Sequence, residues 1–210
     1  MKFLAGLFLS IILGALVATL FHSQTAAEPG NRTADDEPTY QGEAADFWLA
    51  QMENSDPVYR QTAVIALGEM GLHDDDRVHD AVLKAARDED GDVRFMAINS
   101  LQKIRPQDPR TIDTFIAVLA DSNRLVRIQA VIGLGHAGRP SNPIISGLVG
   151  ALHDADCIVR QQALQALGRY GPAAHQVLSE VTAALQDPFP PVRDAAGVAK
   201  AKIESSSRMK

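Results

Sequence analysis

The chain has 210 residues, 46% of them hydrophobic and 22% charged, with a formal net charge of −6 and a single cysteine. That much apolar material excludes a wholly disordered chain, and one cysteine excludes an intramolecular disulfide and any Cys-pair zinc or redox site. The acidic balance speaks against a nucleic-acid partner, whose phosphates need surplus Lys and Arg, and the low aromatic content (5%) beside abundant alanine favours helix over sheet.

Phe3 to Phe21 is a run of 19 residues without a charge, behind Met1 and Lys2. As a helix it would reach about 28 Å, close to the hydrocarbon thickness of a bilayer. Thr25, Ala26 and Ala27 are small enough for a signal peptidase, yet the run exceeds the usual apolar length of a cleaved signal. Residues 1–27 therefore read as a signal peptide or as an uncleaved N-terminal transmembrane anchor. Lys2 on one side, with Glu28, Asp35, Asp36 and Glu37 on the other, directs the bulk of the chain out of the cytoplasm, to the periplasm or the extracytoplasmic face of a membrane. Without residues 1–27 the chain keeps 19 basic and 26 acidic residues, a net charge of −7. Residues 28–42, with Pro29, Gly30, Pro38 and Gly42 among polar residues, read as a flexible acidic linker.

From there the chain repeats itself. Arg60, Arg94, Arg127, Arg160 and Arg193 are separated by 34, 33, 33 and 33 residues. Before each Arg stand Tyr59, Val93, Val126, Val159 and Val192; three residues after it stand Ala63, Ala97, Ala130, Ala163 and Ala196. Seven after it come Leu67, Leu101, Leu134 and Leu167, with Lys200 breaking the series; six before it come Asn54, Asp88, Asp121, Asp154 and Asp187. These offsets are helical spacing and define an apolar stripe on the second helix of each unit. An earlier helix carries Ala45, His79, Ile112, Ile145 and Leu178, then Trp48, Val82, Phe115, Leu148 and Val181, then Met52, Ala86, Leu119, Leu152 and Leu185. Asp56, Asp90, Asn123 and Asp156 are N-caps for the second helices, and Gly71, Gly138 and Gly171 fall where those helices must stop. Repeats span about 43–71, 72–105, 106–138, 139–171 and 172–204, followed by a tail at 205–210. A helix pair of this size cannot bury its stripes alone, so the fold class is all-α: an α-solenoid, a superhelix of about five stacked pairs. Small residues such as Ala66, Gly133, Ala166 and Ala199 let neighbouring helices approach. Lys200, Lys202 and Glu204 at one end, with Gln51, Glu53 and the acidic linker at the other, read as polar outer faces.

The recurring pattern Asp, four residues, Val-Arg, two residues, Ala, three residues, Leu-Gly, two residues, Gly resembles the HEAT-like repeat of the phycobilisome-lyase type, and covers about residues 43–204. The resemblance implies an α-solenoid. Similar arrays serve as scaffolds, inhibitors, lyase subunits and adaptors, so it implies no single activity.

The charged columns are repeated, whereas an active site occurs once. They therefore read as a structural ladder of charge-assisted hydrogen bonds joining repeats: Asp88, Arg94, Asp121, Arg127, Asp154, Arg160, Asp187 and Arg193. Gly133, Gly135 and Gly138 have dinucleotide-binding spacing but follow no strand, and with Gly68 and Gly168 they read as helix-ending glycines. His73, Asp74, Asp75, Asp76, His79 and Asp80 are a dense set of potential ligands at a helix start, where acidic residues oppose the dipole; no metal or other cofactor is expected. Cys157, alone near a helix start, reads as a half-buried small residue.

Positions that differ between copies point outward on the second helices, which line the concave side in solenoids of this kind. They are Gln61, Thr62, Ile65, Phe95, Met96, Asn99, Ile128, Gln129, Ile132, Gln161, Gln162 and Gln165. A central group of exposed apolar residues (Phe95, Met96, Ile128, Ile132) among amides suits a polypeptide, not phosphate. The expectation is an exported or membrane-anchored, non-catalytic scaffold that binds a partner protein through this face, with the membrane reached through the N-terminal segment if uncleaved and no nucleic acid bound. The alternative is a lyase or lyase subunit acting on a protein-bound cofactor.

Overall fold

The computed structural model describes residues 38–205. The expected signal or anchor, most of the expected linker and the tail beyond Ser205 lie outside those residues. Among the described residues no helix is long and apolar enough to cross a membrane.

Ten α-helices form five consecutive pairs. They are α1 (Ala45–Gln51) with α2 (Pro57–Glu69), α3 (Asp76–Ala85) with α4 (Gly91–Ile104), and α5 (Pro109–Ala117) with α6 (Arg124–His136). Then come α7 (Asn142–Ala151) with α8 (Cys157–Tyr170), and α9 (Leu178–Ala183) with α10 (Pro190–Glu204). A 3-10 turn extends α5, and α9 lies between a seven-residue 3-10 segment and a 3-10 turn. Each second helix from α2 to α8 starts on an Asp or Asn whose side chain accepts from the backbone N–H two residues on, at 2.9 Å for Asp56, Asp90 and Asn123 and 2.8 Å for Asp156. Such caps are each worth about 1 kcal/mol. The last, α10, has no side-chain cap and begins instead with Pro190. Three of the second helices are followed by a glycine in the left-handed region, Gly71, Gly138 and Gly171.

The core runs unbroken through all five pairs. Trp48, Val82, Phe115, Leu148 and Val181 are buried on the first helices; Ala63, Ala97, Ala130, Ala163 and Ala196 are buried on the second, as are Leu67, Leu101, Leu134 and Leu167. Fully burying each such Leu contributes about 1.5–3 kcal/mol. A further buried column was not read from the sequence: Val64, Ile98, Val131 and Leu164, four residues after each Arg. A second helix touches both its own first helix and the next repeat, so its buried stripe is wider than a one-sided amphipathic pattern implies. Tyr59 departs from its column: it stands 55% exposed, where the corresponding valines are buried.

Second helices pack closely on one another along the stack, while successive first helices touch only lightly. Tighter spacing in one layer bends the array, which puts the second helices on the inner side of the curve. The close layer is made possible by glycine and alanine. A Cβ placed on Gly68 would lie 2.7 Å from Ser100 Cβ, one on Gly135 would lie 2.8 Å from Ala166 Cβ, and one on Gly133 would lie 2.7 Å from the Phe115 ring. Gly68, Gly133, Gly135 and Gly168 are thus packing glycines inside helices, not helix ends. Only Gly138 of the dinucleotide-like triplet follows its helix, α6.

The expected linker is not wholly irregular. Thr39–Tyr40 and Glu43–Ala44 form an antiparallel two-stranded hairpin, turning through Gln41 and Gly42, both at positive φ. The Trp48 indole donates to the Tyr40 carbonyl at 3.3 Å, and the two rings meet edge to face at 5.8 Å. This hairpin packs on α1 and α2, so the end of the expected linker lies against the first repeat.

Candidate functional site

The periodic charges lie at the turns within each pair. Arg60 grips Asp88 of the following repeat through Nε at 2.8 Å and Nη2 at 2.7 Å. Arg94 grips Asp121 at 2.7 and 2.9 Å, Arg127 grips Asp154 at 2.8 and 3.0 Å, and Arg160 grips Asp187 at 2.8 and 2.9 Å. The third nitrogen, Nη1, donates to a carbonyl of the same repeat in all five copies: Asn54, Asp88, Asp121, Asp154 and Asp187. Each Asp also accepts the backbone N–H two residues on, at 2.7–2.9 Å. Burial pushes the Asp88, Asp121 and Asp154 carboxyls up, but the guanidinium and the backbone donor outweigh it and hold all three below the usual carboxylate range. At Asp187 the Arg160 hydrogen bond is the leading cause of a downward shift. In the four pairs that cross a joint, the guanidinium nitrogens and the facing carboxylate oxygens are engaged with one another and with the backbone, which ties each repeat to the next in register.

Helix geometry places offsets −2, +2, +5 and +9 from each Arg on the side facing away from the first helices. Thr62, Gln129 and Gln162 occupy the +2 column, and Ile65, Asn99, Ile132 and Gln165 the +5 column; all are half-buried except exposed Gln165. Gln61 and Gln161 sit at +1, toward the next repeat, where Gln61 donates to Asp90 at 3.4 Å. Phe95, Met96 and Ile128 are half-buried and packed against the core, so they do not form the exposed apolar centre expected of them. The exposed apolar side chains of this face are instead Val58, Leu125 and Ile158 at offset −2, together with Val198. The sequence signal for them was present, four and seven residues before columns already assigned outward. At the other end of the same helices Lys103, His136, Arg169 and Lys202 form a basic edge, where cations suit the helix dipole. Lys103 is paired with Glu69.

Of the dense His and Asp set only His79 is buried, and the carboxylates of Asp75, Asp76 and Asp80 are held by arginines. Asp75 caps α3 and pairs with Arg77 at 2.9 Å, Asp76 pairs with Arg105 at 2.6 Å, Asp80 pairs with Arg110 at 2.6 Å, and His73 Nδ1 lies 2.9 Å from the Ile104 carbonyl. His79 is fully buried, with Nε2 at 2.8 Å from Thr111 Oγ1 and Nδ1 at 2.9 Å from Arg110 Nη2. Arginine only donates, so Nδ1 accepts and the ring is the neutral Nε2–H tautomer. Burial pulls its pKa below the ordinary value. Among the described residues no three His, Cys, Asp or Glu side chains are gathered to hold a metal. An open groove on the outer side is lined by Met52, Glu53, Leu83 and Lys84, with Lys84 paired to Glu53 at 2.6 Å. Cys157 is half-buried at the first position of α8.

What the geometry defines is a stack of helix pairs with a repeated internal ladder and a variable inner face. The profile of HEAT repeats matches residues 45–135 and 145–208, and the chain belongs to that family. No curated protein matches the sequence. Among solved structures the fold is similar to the complex of CpcE and CpcF of phycocyanin lyase from Nostoc sp. PCC7120, at 20% identity and a TM-score of 0.63, over 87% of this chain and 70% of that one. It is also similar to two engineered proteins. One has 18% identity and a TM-score of 0.56 over 77% of this chain and 79% of its own; the other has 19% and 0.57 over 77% and 81%.

Proposed function

We propose that the protein is an exported or membrane-anchored HEAT-repeat scaffold that binds a partner protein through the inner face of its second helices and performs no chemistry itself. The observation that supports this reading is the division of labour within each repeat. Charged groups at the turns are engaged in the ladder, while the outward columns, Val58, Leu125 and Ile158 among amides such as Gln162 and Gln165, are free to contact another surface. Mixed apolar and amide surface suits polypeptide, whose side chains fill the apolar gaps and whose backbone pairs with the amides. The N-terminal apolar run supports export, and cell fractionation tests it: recovery only from the cytoplasm overturns that part.

For the inner face, a crosslinked pull-down compares the natural chain with a Leu125→Ser, Ile158→Ser double variant. Loss of one recurrent partner from the variant is the expected result, and equal recovery overturns the reading. A second reading, a lyase-type subunit acting on a protein-bound cofactor, is favoured by the likeness to the CpcE and CpcF complex. Release or attachment of a chromophore by the purified chain would establish it in place of the first.

A further inference from the structure

The two ends of the stack are finished differently. At the first repeat the hairpin covers the helices, and the column that binds the preceding arginine elsewhere holds Asn54, whose Oδ1 accepts from the Asp56 N–H at 3.0 Å and whose Nδ2 donates to Gln51 at 3.1 Å. At the last repeat nothing comparable is present among the described residues. Lys202, expected to face outward, runs its stem back over Gly168. Gly197 stands exposed in the column that holds fully buried Val64, Ile98, Val131 and Leu164, leaving a notch, and Val198 beside it is 56% exposed.

Arg193 lies on this open end. Its Nη1 donates to the Asp187 carbonyl at 2.7 Å and the Pro188 carbonyl at 3.1 Å, as Nη1 of Arg160 does to Asp154 and Ala155 at 2.8 and 3.2 Å. In the four earlier copies the remaining Nε and Nη2 hold the carboxylate of the next helix pair. At Arg193 no carboxylate lies within ion-pair distance among the described residues. The fork is therefore held in the carboxylate-binding pose by its own repeat, at an interface that the chain has already built four times.

We infer that the α10 end is a docking face for the end helix pair of a partner polypeptide, with a turn Asp or Glu of the partner seated on Arg193 and a bulky apolar side chain in the Gly197 notch. A second copy of this chain does not fit the role, because its own first repeat is covered by the hairpin and carries Asn54 where the carboxylate is required. This site borders the inner face of the second helices at Val198, which belongs to both, and is distinguished from it by its dependence on Arg193 instead of Leu125 and Ile158.

The fork is tested in the full chain, natural or extended by a duplicate of residues 172–205 after Ser205, so that a second Asp187 follows Arg193 at the repeat spacing. Arg193→Ala is expected to lower the urea midpoint of the extended chain as far as Arg160→Ala does, and to have little effect without the extension; equal small effects in both overturn the proposal. The partner is tested with a photo-crosslinking amino acid at Val198 in the producing cell. The expected adduct is a polypeptide crosslinked within an acidic helix–turn–helix, reduced about tenfold or more by Arg193→Ala and retained by Leu125→Ser, Ile158→Ser. An adduct indifferent to Arg193, an adduct with a second copy, or no adduct overturns it, whatever the fate of the inner-face reading.

Discussion

At the turns within the helix pairs of this stack four arginine–aspartate pairs cross successive joints with side chains only 9–16% exposed. On the outer side Arg77–Asp46, Lys84–Glu53 and Arg110–Asp80 cross the first two of those joints with side chains 51–79% exposed. The contact distances are alike, yet the surroundings differ. Inside, each guanidinium is bidentate, anchored by backbone carbonyls and shielded from water. Outside, a single nitrogen reaches an oxygen across solvent. The lesson is that the strength of such pairs follows from burial and from the number of fixed hydrogen bonds, not from proximity.

The largest test of that contrast is Arg127→Ala, which strands Asp154 half-buried without its partner. It should cost about 3 kcal/mol in urea unfolding, and Arg127→Ala with Asp154→Ala together should cost less than the sum of the two. Additive costs would mean that the ladder does not couple repeats. Next comes packing: Gly135→Val should cost roughly 2 kcal/mol, because the new Cβ meets Ala166 in the tight inner layer. In the loose outer layer the sign reverses, since a Cβ on Gly150 meets nothing within 4 Å, and Gly150→Ala should stabilise by roughly 0.5–1 kcal/mol. Smallest among the substitutions is Lys84→Ala, expected to change stability by less than about 0.5 kcal/mol and to become neutral in salt.

The outer layer has one buried polar contact of its own, and pH tests it. His79 has a folded pKa below its unfolded one, so the unfolded state binds the extra proton first. Its contribution is present above the unfolded value near 6.5 and is lost as pH falls from there through the folded value. Thermal unfolding should weaken from pH 7 to 5 in the natural chain, with Asp108, Asp80, Arg105 and Arg110 as the charged groups that set the shift. His79→Leu should flatten that window. The ladder carboxylates act at lower pH: their depressed pKa values stabilise the fold above the usual carboxylate range, and that stabilisation disappears as pH falls through the folded values.

Much of this architecture was legible because a repeated unit writes the same physical requirement five times. The Arg, Ala and Leu columns recur at one spacing, and their burial makes the all-α stack. The capping residues were legible for the same reason, since an Asp or Asn before a helix has one dominant use. The fourth core column was missed because Val64, Ile98, Val131 and Leu164 vary in identity, the fifth copy breaks the series with exposed Gly197, and their burial comes from the neighbouring repeat instead of from their own. The hairpin at 39–44 was missed because four strand residues carry almost no periodic signal and are held by Trp48 across the fold. Phe95, Met96 and Ile128 were placed outward by comparing copies, whereas their size lets them lean back onto the core.

The sequence by itself determined the number of helix pairs, where each begins, and which residues face inward within a helix, because those follow from short-range spacing and capping. Tertiary structure alone decided which carboxylate each of the first four arginines holds, that the second helices crowd while the first helices spread, and that the hairpin packs on the first repeat. Those outcomes depend on contacts between residues about 30 positions apart, and there the distance of approach, not the local pattern, sets the energy.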